Sequence, residues 1–201
     1  GADKGKAVVI RQGAAGLLGE IRAAVLDAYD AKIAAAGGVD LHVVGVGGRG
    51  HVAFHESGIP FTGNRMLLVK LDDNTIENAV ADGHFQNKGD SPCYAVSMGV
   101  ELVYEARKVV LLAEGGRKTA VVAESVLGTV THDVPISYGQ RYAAEGGELV
   151  YVLDQEAAAE LLARRDEVEA RGYALLDRRG EIYPRVADLV FHRDAAHGLM
   201  G

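Results

Sequence analysis

The apolar run Leu41 to Val44 opens directly into GVGGRGHVAFHE, Gly45 to Glu56, and this junction restricts the possible folds more than any other stretch. Glycines at 45, 47, 48 and 50 permit positive φ and close backbone approach, which a turn leaving the C-terminal end of a sheet strand often requires. Val39 to Val46 reads as a buried strand, because β-branched and apolar residues run together without strict polar alternation. Ala14 to Ala36 reads as a helix, with Leu18, Ile21, Val25, Tyr29 and Ile33 recurring at three- or four-residue spacing until Gly37 and Gly38 stop it.

The same periodicities predict strands at Lys6–Ile10, Met66–Leu71, Val109–Ala113 and Glu148–Leu153. They predict helices at Asn74–Asp82, Val100–Ala106, Lys118–Leu127 and Gln155–Arg171. Strands that alternate with helices imply an α/β class: one continuous, mainly parallel, Rossmann-like sheet with helices on both faces, spanning residues 1–171. Arg178, Arg179 and Gly180 between two apolar runs suggest an appended C-terminal hairpin at Tyr173–Tyr183, with Val190 to His192 pairing nearby. Residues 172–201 are thus expected to form a β extension of the same domain.

A net charge of −7 over 201 residues leaves no basic cluster to replace counterions along a phosphate backbone, which argues against nucleic acid as a partner. Cys93 is the one cysteine, so neither an internal disulfide nor a cysteine-based metal site can form. No stretch approaches the ~18 apolar residues of a membrane span, and GADKGK at the start lacks a signal-peptide core. A cytoplasmic setting without membrane partners is the expectation.

The glycine turn admits several chemistries. Gly45, Gly47 and Gly50 satisfy the letters of a dinucleotide fingerprint, with Asp72 or Asp73 about twenty residues on. That fingerprint needs a helix beginning at the last glycine, and Ser57, Gly58, Pro60 and Gly63 break one. His51, His55 and Glu56 are ordinary zinc ligand types, but their order departs from the zincin pattern, so neither metal nor cofactor is expected. A third reading uses His51 for proton transfer, with Glu56 fixing its orientation or tautomer. Beside it stands a structural role for one of the histidines, with His55 the bystander.

The segment GVGGRGHVAFHE resembles the GVGxDGHIAFNEP signature of glucosamine-6-phosphate deaminases, whose wider group includes 6-phosphogluconolactonases and ribose-5-phosphate isomerase-like folds. Tyr29 to Ile33 is similar to the family helix before the motif strand, and Asp73, Asn74 and Thr75 to its acidic-x-threonine segment. Tyr94 to Gly99, YAVSMG, is similar to the family YALTVG, and Gly116 to Gly128 to its GxxKAxAxxxxxEG helix. The resemblance implies an aldose–ketose isomerase/deaminase that opens an amino-sugar phosphate ring and expels ammonia, usually as a homo-oligomer. By position it implies His51 as the ring-opening acid/base and Glu56 as its orienting partner. Lys118, with Gly47, Gly48, Arg49 and Gly50, would contact the phosphosugar.

Two departures accompany the likeness. Arg49 stands where the family carries a catalytic aspartate, and a permanent cation cannot accept a proton, although it can bind a phosphate or carboxylate. The family's amino-terminal portion, with its phosphate-cradling loop, has no counterpart before Gly13. A lactonase-like hydrolase and a noncatalytic sugar-phosphate-binding protein are therefore the alternatives to deamination.

Overall fold

In a computed structural model, residues 6–8, 10 and 13–180 are described. The chain separates into two compact units, Gly1–Ala163 and Arg164–Gly201. In the first, β1 (Lys6–Val8) precedes a helical run made of α1 (Gly16–Ile21), a π-helical turn (Arg22–Asp27) and α2 (Ala28–Ala35). There follow β2 (Leu41–Gly45), β3 (Met66–Lys70), α3 (Asp73–Ala81), β4 (Tyr94–Met98), α4 (Val100–Val103), β5 (Lys108–Ala113) and α5 (Thr119–Leu127). The unit ends with α6 (Gly139–Ala144), β6 (Glu148–Leu153) and α7 (Ala159–Ala163). The second unit contains α8 (Arg165–Ala170).

The α/β class expected from the alternation is present, with a parallel sheet, β2-β5-β6, flanked by helices. The single continuous sheet is not: β1, β3 and β4 form a separate antiparallel sheet, β1-β3-β4. The cause lies in residues 46–65. A strand reaches a parallel neighbour through a crossover, usually helical, and the Gly- and Pro-punctuated stretch after β2 forms turns instead. β3 therefore leaves the sheet that β2 belongs to. The expected helix over Gln155–Arg171 is likewise two pieces, interrupted at Arg164, where φ −111° and ψ 32° are not helical. Tyr173 to Gly180 contains no strand, and the remainder of the expected hairpin, like Val190 to His192, lies outside the described residues.

Alternation along the parallel strands sends Val44, Val109, Leu111 and Ala113 to a buried face. Here the Ser125 hydroxyl of α5 meets the Tyr151 hydroxyl of β6 at 3.1 Å, and the Tyr142 hydroxyl of α6 donates to the Ala106 carbonyl at 2.8 Å. The opposite face carries Leu41, Val43, Leu112 and Val152, each about half exposed. A second core of Ile59, Leu67, Val69, Leu71 and Ile76 joins β3 to α3 and to the segment that follows the glycine turn. Arg65 ties this sheet to the first helical run, donating to both Asp30 oxygens at 2.9 and 3.0 Å and to Glu105 at 2.8 and 2.7 Å.

Candidate active site

β2 delivers the chain at Gly45 to the mouth of a cavity of about 540 Å³. The turn beyond it is closed by its own backbone: Gly47 N–H donates to the His51 carbonyl at 3.1 Å and Gly50 N–H to the Gly47 carbonyl at 2.9 Å. Gly50 has φ +76°, and a Cβ there would lie 2.8 Å from Val134 and 2.9 Å from Val121. At Gly47 the constraint is the site itself, because a Cβ would fall 2.1 to 2.4 Å from the His51 ring atoms. The imidazole thus lies against the Gly47 backbone, and this close approach fixes the ring plane.

The edge of that ring meets a buried carboxylate. His51 Nδ1 is 3.2 Å from Glu56 Oε2, with the Glu56 side chain fully buried and His51 17% exposed. Oε1 of Glu56 accepts from the Thr75 hydroxyl at 2.6 Å and the Asp72 N–H at 3.4 Å. Oε2 is buried without a hydrogen bond of good geometry, so the charge of the nearby imidazole is what compensates it. Burial pushes the Glu56 carboxyl up, but His51, the Thr75 hydroxyl and the Asp72 N–H outweigh it and hold the group below the ordinary carboxylate range. A carboxylate in this place favours the tautomer with hydrogen on Nδ1 and leaves Nε2 as the proton-accepting nitrogen.

His55, four residues on, is different in kind. It is fully buried, its Nε2 donates to the Ile59 carbonyl at 3.1 Å, and its Nδ1 accepts from the Val100 N–H at 3.2 Å. Burial drives its pKa down to about 4, the Ile59 carbonyl opposing. A neutral imidazole with both nitrogens engaged is a brace between the motif loop and α4, in line with the bystander role expected for it. Between the two histidines Ala53 adopts φ 49°, the described non-glycine residue in the left-handed region, and closes the Val52–His55 turn.

Asn74, Thr75, Asn78, Asp82, His84, Arg117 and Lys118 form the other walls of the cavity. Lys118 stands at the N-cap of α5, its pKa lowered by burial and by Arg117, with Asp82 opposing. The nearby Gly115 and Gly116 N–H groups are already engaged by the Asp154 and Glu156 carboxylates at 2.9 Å, so side-chain cations supply the positive charge on this wall. His51, Gly47, Gly48 and Lys118 thus border one cavity. Arg49 does not join them: its guanidinium donates to Asp72 at 3.0 Å and borders a neighbouring hollow with Ser57, Glu124 and Asp133. Gly50 acts as a turn residue packed on Val121 and Val134. Among the described residues, no group of three or more His, Cys, Asp or Glu is placed to hold a metal ion.

His84 and Arg117 are not singled out by the sequence, and Asp72 is marked there only as the acid of a dinucleotide fingerprint. Asp72 did carry a signal: an aspartate three residues before a threonine at a helix start caps that helix, and Asp72 Oδ1 accepts from the Thr75 N–H at 2.9 Å. His84 sits outside any pattern and reaches the cavity through tertiary packing alone, while Arg117 lies in the Gly116 to Gly128 segment beside Lys118.

No protein-family profile matches the chain. It is 35% identical over 133 residues to a glucosamine-6-phosphate deaminase of Clostridium botulinum, covering 66% of this chain and 52% of that protein. It is 36% identical over 115 residues to one from Lysinibacillus sphaericus, covering 57% and 47%. Among solved structures, that of a monomeric glucosamine-6-phosphate deaminase superposes with a TM-score of 0.61 at 25% identity, covering 73% of this chain and 56% of that one. The chain spans about half the length of the curated relatives it matches.

Proposed function

We propose that this chain, which belongs to the glucosamine-6-phosphate deaminase family, opens the ring of an amino-sugar phosphate in the cavity beside Gly47. The overall reaction so proposed is glucosamine 6-phosphate and water to fructose 6-phosphate and ammonia. His51 takes the proton of the anomeric hydroxyl on Nε2 and returns it to the ring oxygen, so that the C1–O5 bond breaks and an aldehyde forms. Glu56 holds the imidazole by Nδ1 and stabilises its charged form between the two transfers. Lys118 holds the phosphate, the Gly47–Gly48 backbone lines the sugar, and Arg49 serves the site from outside the cavity. The observation that carries this reading is the Nδ1 to Oε2 contact of 3.2 Å at the wall of a cavity that also holds Lys118.

Ammonia and fructose 6-phosphate released from glucosamine 6-phosphate are the test. His51→Asn is expected to lower kcat by about 10²- to 10⁴-fold, whereas turnover unchanged by that substitution, or no ammonia from the unsubstituted protein, overturns the reading. A second reading is favoured by one observation, the absence from the cavity of any acid at position 49. It is a sugar-phosphate-binding protein without turnover, which glucosamine 6-phosphate would stabilise against heat while no product formed. A cytoplasmic setting, homo-oligomeric assembly and indifference to nucleic acid and membranes complete the proposal, and sedimentation velocity tests the assembly.

A further inference from the structure

Arg49 does not line the cavity of the proposed chemistry, yet it is built into the support of His51. Its guanidinium donates to Asp72 Oδ2 at 3.0 Å, with the Asp72 side chain 1% exposed and Arg49 35%. Asp72 Oδ1 caps α3 at the Thr75 N–H, its own N–H donates to Glu56 Oε1, and the Thr75 hydroxyl donates to the same oxygen at 2.6 Å. The Thr75 hydroxyl is also 3.5 Å from His51 Nδ1. Two carboxylates, Asp72 and Glu56, are therefore buried around one turn next to one imidazole. Like charges at such spacing repel strongly where little water screens them.

We propose that Arg49 is a positioning residue for His51: by neutralising buried Asp72 it holds the Asp72–Thr75 turn that grips Glu56, and so sets the orientation and proton affinity of the imidazole. The charged groups around His51 come from several elements. Glu56 lies on its own loop, and Asp72 and Arg49 lie at the start of α3 and in the glycine turn. Asp82 and His84 follow from the far end of α3, and Arg117 and Lys118 from the turn into α5.

The sign of the effect is fixed by charge. Arg49→Gln leaves the Asp72 carboxylate without its guanidinium and favours imidazolium; Asp72→Asn, which retains the helix cap, removes a buried negative charge and disfavours it. The His51 ring is followed by ¹H–¹⁵N NMR through a pH titration of the resting protein. The midpoint is expected to rise by roughly half to one unit in Arg49→Gln and to fall by a similar amount in Asp72→Asn. It should return toward its starting value in the double variant and stay close to it in Arg49→Lys. A midpoint that moves in neither single variant, or in the same direction in both, overturns the proposal. Should Arg49→Gln not fold, Arg49→Met, which keeps the aliphatic stem, takes its place, a rise supporting and an unchanged midpoint overturning. The inference rests on the reading of His51 as the acid–base group only for its kinetic consequence. A protein without turnover would sink that reading and leave this titration to be judged by itself.

Discussion

Two histidines four residues apart have opposite fates because of what surrounds each nitrogen. His51 keeps Nε2 unengaged at a cavity wall, whereas both His55 nitrogens are spent on backbone groups. The buried, neutral His55 has a stability consequence. Its folded pKa of about 4 lies below the ordinary value of 6.5, so the unfolded chain binds the proton first. The contribution is complete above pH 6.5 and is lost as pH falls toward 4, a difference on the order of 3 kcal/mol. Urea unfolding at a series of pH values should show this loss, and His55→Gln should flatten it over the same window while lowering stability throughout. An equally steep decline in that variant would assign it elsewhere, Glu56 being one of several depressed carboxyls, whose share disappears only at lower pH. The sequence made the pair visible but could not separate them, since Val100, the partner of His55 Nδ1, is 45 residues away.

At the scale of elements, the glycine turn is held from beneath by the start of α3 and from the side by the junction of β4 and α4. That junction depends on Gly99, whose N–H donates to the Arg65 carbonyl at 2.7 Å and where a Cβ would sit 1.6 Å from the Asn64 carbonyl oxygen. No rotamer relieves a clash with backbone, so Gly99→Ala should cost about 2 to 4 kcal/mol, read as a lowered midpoint of chemical denaturation. A change below half a kcal/mol would mean that residues 64–65 can shift. β2 and its turn were legible because a long apolar run meets four glycines. β4 was legible only as a motif, YAVSMG, and not as a strand: Tyr94 and Val96 are exposed while Ser97 is buried, so apolar and buried positions do not coincide. The Ser97 hydroxyl accepts from the Phe54 N–H at 2.9 Å, which explains why a polar residue occupies the inner face. Similarly, Gln155 to Arg171 has the periodicity of one helix, but nothing in its letters marks the break at Arg164.

For the whole molecule, class and order were readable and the partition into two sheets was not. Alternation of periodicities specifies what the elements are, while pairing depends on which connections can cross a sheet, and the decisive fact was the failure of residues 46–65 to form a helix. The parallel sheet also keeps Leu41, Val43, Leu112 and Val152 in contact with water on one side. Heat capacity is where this shows. Apolar groups already hydrated in the native state add nothing when the chain melts, so calorimetry should give a heat-capacity increment below the ~12–15 cal/mol/K per residue of ordinary domains. The stability curve would be correspondingly broad and shallow, with less loss on cooling than a fully enclosed sheet would suffer.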